Sequence, residues 1–125
     1  MGEGDADAVG SEIRAAFDAY EAALVANDVE ALIGFFWDDP RAARLTTQGG
    51  LYGLAEIAAF RRGRNAADVA RVLTRIDVVA LSRDIGVATA EYRRIGSRRR
   101  GTQSQVWMRR AEGWRIVSAH VSLGV

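Results

Sequence analysis

The stretch "RVLTRIDVVALSRDIGVATAEYRRIG", Arg71–Gly96, decides the fold. Apolar and β-branched residues alternate with charged ones, a period of two, and "SRD" interrupts the run. The spacing predicts strands over 71–82 and 85–95. The same period continues through "TQSQVWMRR" and "GWRIVSAHVSL", which predicts strands over 102–110 and 114–123. The separators "SRD", "IGSRRRG" and "AEG" suit hairpin turns. A four-strand antiparallel run with one buried face needs a cover, and the chain before it must supply that cover.

The preceding chain reads as helix. Ser11 can cap a first helix, with Glu12 in its opening turn, and Ile13, Phe17, Tyr20 and Leu24 recur on one face. Asn27-Asp28 interrupts it, and Asp28 can cap a second helix with Val29, Leu32, Ile33 and Phe36 as its stripe. Pro40 is expected to end that helix. A short strand follows near Ala42–Thr47. "TQGGLYG" reads as a turn. "LAEIAAFRRGR" reads as a third helix with Ile57 and Phe60 inward. Helices first and a strand meander afterwards make an α+β fold. Its expected form is a cone-shaped, curved antiparallel sheet wrapped on the N-terminal helices. Small-molecule pockets favour the open mouth of such a cone.

Length and composition narrow the function. A chain of 125 residues favours one domain, expected over 11–125. Residues 1–10, "MGEGDADAVG", are acidic and polar and read as a flexible N-terminus. They lack the features of a signal peptide, and no apolar run approaches a membrane span, so a soluble cytoplasmic protein is expected. All 17 basic residues are arginine, so lysine Schiff-base chemistry is excluded. Cysteine is absent, which excludes disulfides and thiolate nucleophiles. With His120 the single histidine, a multi-histidine metal site is impossible. The net charge of +1 gives no general attraction to nucleic acid or membrane.

Several side chains carry candidate chemistry. Arg44 alternates with Ala43 and Leu45, so it faces opposite to them. A buried arginine keeps its proton and needs an anion, either a protein carboxylate or a substrate carboxylate. Tyr20 lies on the apolar stripe of the first helix. It is either a core tyrosine or a hydroxyl aimed into the cavity as donor or acid. Arg61, Arg62 and Arg64 follow the third helix, where cations complement the helix dipole. "RRIGSRRR", Arg93–Arg100, reads as an exposed hairpin tip without the aromatic interleaving of a nucleic-acid surface. Gln103, Gln105 and Trp107 share one strand face and can orient a polar ligand or sit on the sheet surface. His120 shares a face with Ser118 and Ser122, without the spacing of a catalytic dyad. "GGLYG" lacks the pattern of a nucleotide loop.

"AYEAALVANDVEALIGFFWDDP" resembles the opening of the nuclear-transport-factor-2-like superfamily, which includes ketosteroid isomerases and polyketide cyclases. The resemblance continues over residues 11–123. In the isomerases a tyrosine lies on the first helix, where Tyr20 falls, and a general-base carboxylate lies on the first strand. That position here holds Arg44, which cannot act as a base at neutral pH. More specifically, "FFWDDPRAAR", "LYGLAEIAAFRRGR", "AEYRR", "GTQSQVWMRR" and "GWRIVSAHVSL" resemble the AtzH-like family. Its members are associated with amidase-signature hydrolases in the breakdown of cyanuric acid, oxalurate and related nitrogen compounds. The sequence departs after Arg44, where "LTTQGG" stands in place of an aromatic residue and glycine, so the pocket floor is expected to differ.

The resemblance implies a decarboxylating amidohydrolase-type enzyme acting on carboxylated ureas, such as 1,3-dicarboxyurea going to allophanate. Tyr20 and Arg44 match the positions carried over as catalytic. Arg61 or Arg64 would reach the second carboxylate. Trp37, Gln103, Gln105, Trp107 and His120 complete the candidate substrate contacts. Arg44 would clamp one carboxylate, and Tyr20 would donate a proton or hydrogen bond to the urea. No metal or organic cofactor is expected, and no nucleic-acid or membrane partner. The partners implied are a small carboxylate-bearing substrate, a second copy docked through the outer sheet face, and an amidase. Two alternatives stand beside this reading: a non-catalytic accessory of an amidase, and a lyase, isomerase or cyclase acting on another small acid.

Overall fold

A computed structural model describes residues 1–64 and 70–124. The elements run α1 (Glu3–Val25), α2 (Val29–Gly34), β1 (Ala43–Thr46), β2 (Gly49–Tyr52), α3 (Leu54–Gly63), β3 (Arg71–Ala80), β4 (Ile85–Arg94), β5 (Arg100–Arg110) and β6 (Gly113–Leu123). They form one curved, unclosed sheet in the order β2-β1-β6-β5-β4-β3, with the three helices against its inner face. The expected α+β class and the meander β3–β4–β5–β6 are both present. β1 joins the meander by pairing parallel to β6, with Arg44 opposite Ala119.

Alternation along the strands creates the core. Ala88, Ala90 and Tyr92 on β4, Gln103, Gln105 and Trp107 on β5, and Trp114, Ile116 and Ala119 on β6 all turn inward. They meet Ile13, Phe17, Tyr20 and Leu24 of α1 and Leu32 and Phe36 beyond them. Gly86 lets α1 approach this closely, because a Cβ there would overlap Ile13. Among the described residues, no helix is long and apolar enough to cross a membrane.

Four expectations need correction. First, α1 starts at Glu3, not Ser11, so residues 3–10 continue the helix toward the N-terminus. Val9 is buried against the core, and this tertiary contact outweighs the weak helix propensity of Gly4 and Gly10. Second, α2 ends at Gly34 rather than at Pro40. The chain there leaves the helix to pair with the sheet, with Trp37 N–H donating to the Ile116 carbonyl at 2.9 Å. Third, "TQGGLYG" is not only a turn. Gly49–Tyr52 is a strand, hydrogen-bonded to β1 as a short edge. Fourth, a bulge leaves Val117 without a partner, because Trp107 pairs with Ile116 while Val106 pairs with Ser118. The alternation of β6 reverses at that point.

Candidate functional site

A cavity of about 370 Å³ opens at the end of the sheet marked by the β4–β5 hairpin. Its lining joins Tyr20, Leu24, Arg44 and Arg61 with Phe60, Arg64, Arg71 and Tyr92. Gln103, Arg94 and Arg99 also line it, as do Thr46, Thr47 and Gln48 of the departing segment.

The deep end is built by three elements. α1 brings Tyr20 on the stripe that buries Phe17 and Leu24. Edge-on contacts with Phe35, Phe36 and Trp107, at centroid distances of 5.7, 6.3 and 6.5 Å, hold the ring. β1 brings Arg44, 5% exposed, with its guanidinium 4.8 Å from the Phe60 ring centroid. α3 brings Arg61, 3% exposed, one helical turn after Ile57 on the buried stripe. Gly53 makes the tight entry into α3, at φ 83° and packed on the Pro40 backbone.

Arg61 Nη2 donates to the Tyr20 hydroxyl oxygen. With that oxygen accepting, the hydroxyl proton is left to donate elsewhere. Nε and Nη1 of Arg44 and of Arg61 have no hydrogen-bond partner among the described residues. Burial first, and then the neighbouring Arg61, push the Arg44 guanidinium down to about 10. Arg44 therefore stays cationic at neutral pH. Arg64 is also lowered, by burial and then by Arg61 and Arg94. Arg44 and Arg61, buried side by side, meet no counter-charge among the described residues, and the deep end suits an anion.

One wall is different. Glu21, next to Tyr20 on α1, is ion-paired to Arg71 of β3 through Nη2 and through Nε at 3.2 Å. Gln103 of β5 closes a ring: its Oε1 accepts from Arg71 Nη2 at 2.8 Å and its Nε2 donates to Glu21 at 3.1 Å. The Arg71 guanidinium stacks on Tyr92, 4.2 Å from the ring centroid.

Of the residues expected at the site, Tyr20, Arg44, Arg61, Arg64 and Gln103 line the cavity together. Gln105 and Trp107 lie deeper, bonded to each other (Trp107 Nε1 to Gln105 Oε1, 3.0 Å), and support the site from below. Trp37 is elsewhere, beside Arg41 and Arg110 at the far end of β5. His120 is also elsewhere, because the β6 bulge turns it to the outer face, where it meets Ser122 at 3.3 Å. Phe60, expected inward, is 38% exposed at the cavity rim. The hairpin arginines Arg94 and Arg99, read as a solvated tip, reach the cavity instead. Sequence reasoning missed Glu21, Arg71 and Tyr92. The one available signal was position: a glutamate beside Tyr20 on a buried helix face, and an arginine opening an apolar strand.

Solved structures share this fold. A protein of unknown function from Pectobacterium atrosepticum is 41% identical, with a TM-score of 0.91 over 100% of this chain and 99% of that one. A cystatin-like fold protein from Burkholderia xenovorans is 35% identical, with a TM-score of 0.86 over 92% of this chain and 91% of that one. A putative dehydratase of the nuclear-transport-factor-2-like family from Streptomyces avermitilis, 18% identical with a TM-score of 0.80 over 95% of this chain and 98% of that one, shares the fold. No curated protein matches the sequence. The AtzH-like family matches across residues 3–124, a span that runs from α1 through β6. With that match spanning nearly the whole chain, and with the fold of its nuclear-transport-factor-2-like neighbours, the chain belongs to the AtzH-like family.

Proposed function

We propose that this cavity is the active site of an enzyme that decarboxylates a small carboxylated urea, of the type 1,3-dicarboxyurea going to allophanate. One observation carries the reading: two buried guanidiniums, Arg44 and Arg61, face one cavity with donors unpaired among the described residues, beside a tyrosine hydroxyl. A carboxylate matches those two charges, since its two oxygens can accept from N–H groups of both arginines.

The chemistry places the carboxylates. In loss of CO2 from an N-carboxylate, the C–N bond breaks and its electron pair stays on the urea nitrogen, delocalised toward the carbonyl. A guanidinium on the departing carboxylate would lose its partner as the charge left. Arg44 and Arg61 therefore hold the retained carboxylate, and the urea oxygen, where charge accumulates, takes N–H donors from the neighbouring Arg71–Gln103 wall. The departing carboxylate lies toward the mouth, against Leu24 and the rim. Tyr20, its oxygen already accepting from Arg61, delivers the proton that completes the N–H bond. Water at the mouth returns a proton to the phenolate. General-acid donation of this type contributes roughly 10²–10⁴-fold in rate.

The test follows 1,3-dicarboxyurea by carbon NMR with wild type, Tyr20→Phe and Arg44→Ala. Acceleration by the wild type, lost on Arg44→Ala and reduced roughly 10²-fold or more on Tyr20→Phe, supports the assignment. Equal decay with and without protein overturns it.

A further inference from the structure

The cavity has one uncompensated end and one compensated wall, and this asymmetry constrains the ligand beyond the need for a carboxylate. At the deep end, Arg44 and Arg61 meet no carboxylate among the described residues. On the wall, Arg71 spends Nε and Nη2 on Glu21, and Nη2 also bonds Gln103. Its Nη1 remains for the cavity that Arg71 lines. Gln103 is also part-committed. Its Oε1 accepts from Arg71 and one Nε2 hydrogen goes to Glu21, which leaves one N–H uncommitted. The wall thus offers N–H donors while its net charge is cancelled.

We infer that Glu21 is a specificity-determining residue. By neutralising Arg71, it makes the Arg71–Gln103 wall a reader of an uncharged carbonyl rather than a second anion clamp. Glu21 touches no ligand and acts through Arg71 and Gln103, so it is a positioning residue. The ligand class that follows is a carboxylate carried one or two atoms from an amide-like or urea-like carbonyl. The carboxylate lies on Arg44 and Arg61, and the carbonyl oxygen accepts from Arg71 Nη1 and Gln103 Nε2. A second carboxylate in the carbonyl's place would stand next to Glu21 and be repelled. This deepens the proposed function and rests on it for the choice of carbonyl compound, but the selectivity itself is measurable without turnover.

Malonamate and malonate are the probes, because they are nearly isosteric and differ in one charge. Titration calorimetry at pH 7.5 is expected to show wild-type protein binding malonamate in preference to malonate. Glu21→Gln uncovers the charge of Arg71 and keeps the hydrogen-bonding shape. It is expected to shift the malonate-to-malonamate affinity ratio toward malonate by about tenfold or more. A purely structural Glu21 would weaken both ligands together and leave the ratio unchanged, which would overturn the inference. So would a wild type that prefers malonate. If Glu21→Gln does not fold, the double variant Glu21→Leu/Arg71→Met removes the pair without stranding a charge. It is expected to lose the malonamate preference while acetate still binds at Arg44 and Arg61. A preference retained in that variant refutes the inference. Inert 1,3-dicarboxyurea together with the expected ratio shift would reject the reaction and leave the selectivity standing.

Discussion

Arg44 carries the argument at the scale of the residue. Its guanidinium is held in the protein without a counter-ion among the described residues, and burial together with Arg61 lowers its proton affinity. A cation kept there destabilises the empty fold. Arg44→Met keeps the stem and removes the charge, so it is expected to stabilise the ligand-free protein by about 1–3 kcal/mol. The same change abolishes stabilisation by added carboxylates, which at a hundredfold excess over Kd is worth about 2.7 kcal/mol in a responsive protein. Thermal melts with and without 50 mM malonamate check both halves. A lowered melting temperature for ligand-free Arg44→Met would show that Arg44 has a partner after all. Arg44 itself was legible, because strict alternation about Leu45 placed it opposite that residue. Arg61 was half legible. As a helix-end cation it looked solvated, yet its place four residues after Ile57 puts it on the buried stripe. His120 was not legible at all. Counting by twos from Trp114 and Ile116 turns it inward, and only the bulge at Val117 reverses that.

At the scale of the element, β4 and β5 position the wall of the cavity. Tyr92 of β4 pairs with Gly101 of β5, and its ring folds across the glycine, where a Cβ would overlap it. That ring is the platform on which Arg71 of β3 lies. Three neighbouring strands thus set one guanidinium, and the glycine is the space that permits it. Gly101→Ala must displace the Tyr92 ring, and with it Arg71 and its bonds to Glu21 and Gln103. The expected outcome is a folded protein, destabilised by about 1–3 kcal/mol, with weakened malonamate binding and acetate binding largely kept. Denaturant melts and calorimetry read the two effects separately, and unchanged malonamate affinity would contradict the role given to the platform. Element identity was mostly readable, since period-two runs and the Asp28 cap are local signals; the Asp28 side chain accepts from Ala31 N–H at 3.2 Å. The misses share a cause. β2 is glycine-rich and is a strand only because β1 offers it a partner. The first turns of α1 hold glycines and are helix because Val9 finds the core. Both depend on contacts that no short window of sequence contains.

For the molecule as a whole, the outer face of the sheet is the surface left without a layer. The helices cover the inner face. On the other side Thr89, Thr102, Ser104, His120 and Ser122 form a shallow groove of about 340 Å³ beside Arg75 and Asp77. Short side chains there let a second surface approach closely, and exposed Val72 and Val79 on β3 add apolar area. Arg75 and Asp77 bond each other at 2.7 Å on that exposed face, so a two-fold interface could exchange opposite charges without stranding one. We propose that two copies pair through this face, burying about 800 Å² each as stable dimers do. Sedimentation equilibrium over a hundredfold concentration range is expected to show a dimer. Ser104→Arg puts a long cation beside Thr89 and His120, and two-fold symmetry brings in its twin, so this variant is expected to sediment as a monomer. Ser104 points away from Gln103 and Gln105, which turn into the core, so malonamate binding should survive in the monomer. A wild type that stays monomeric throughout would overturn the dimer. Loss of malonamate binding on dissociation would show instead that the cavity depends on the paired state, since the proposed dimer face and the proposed binding face are the two sides of the same strands.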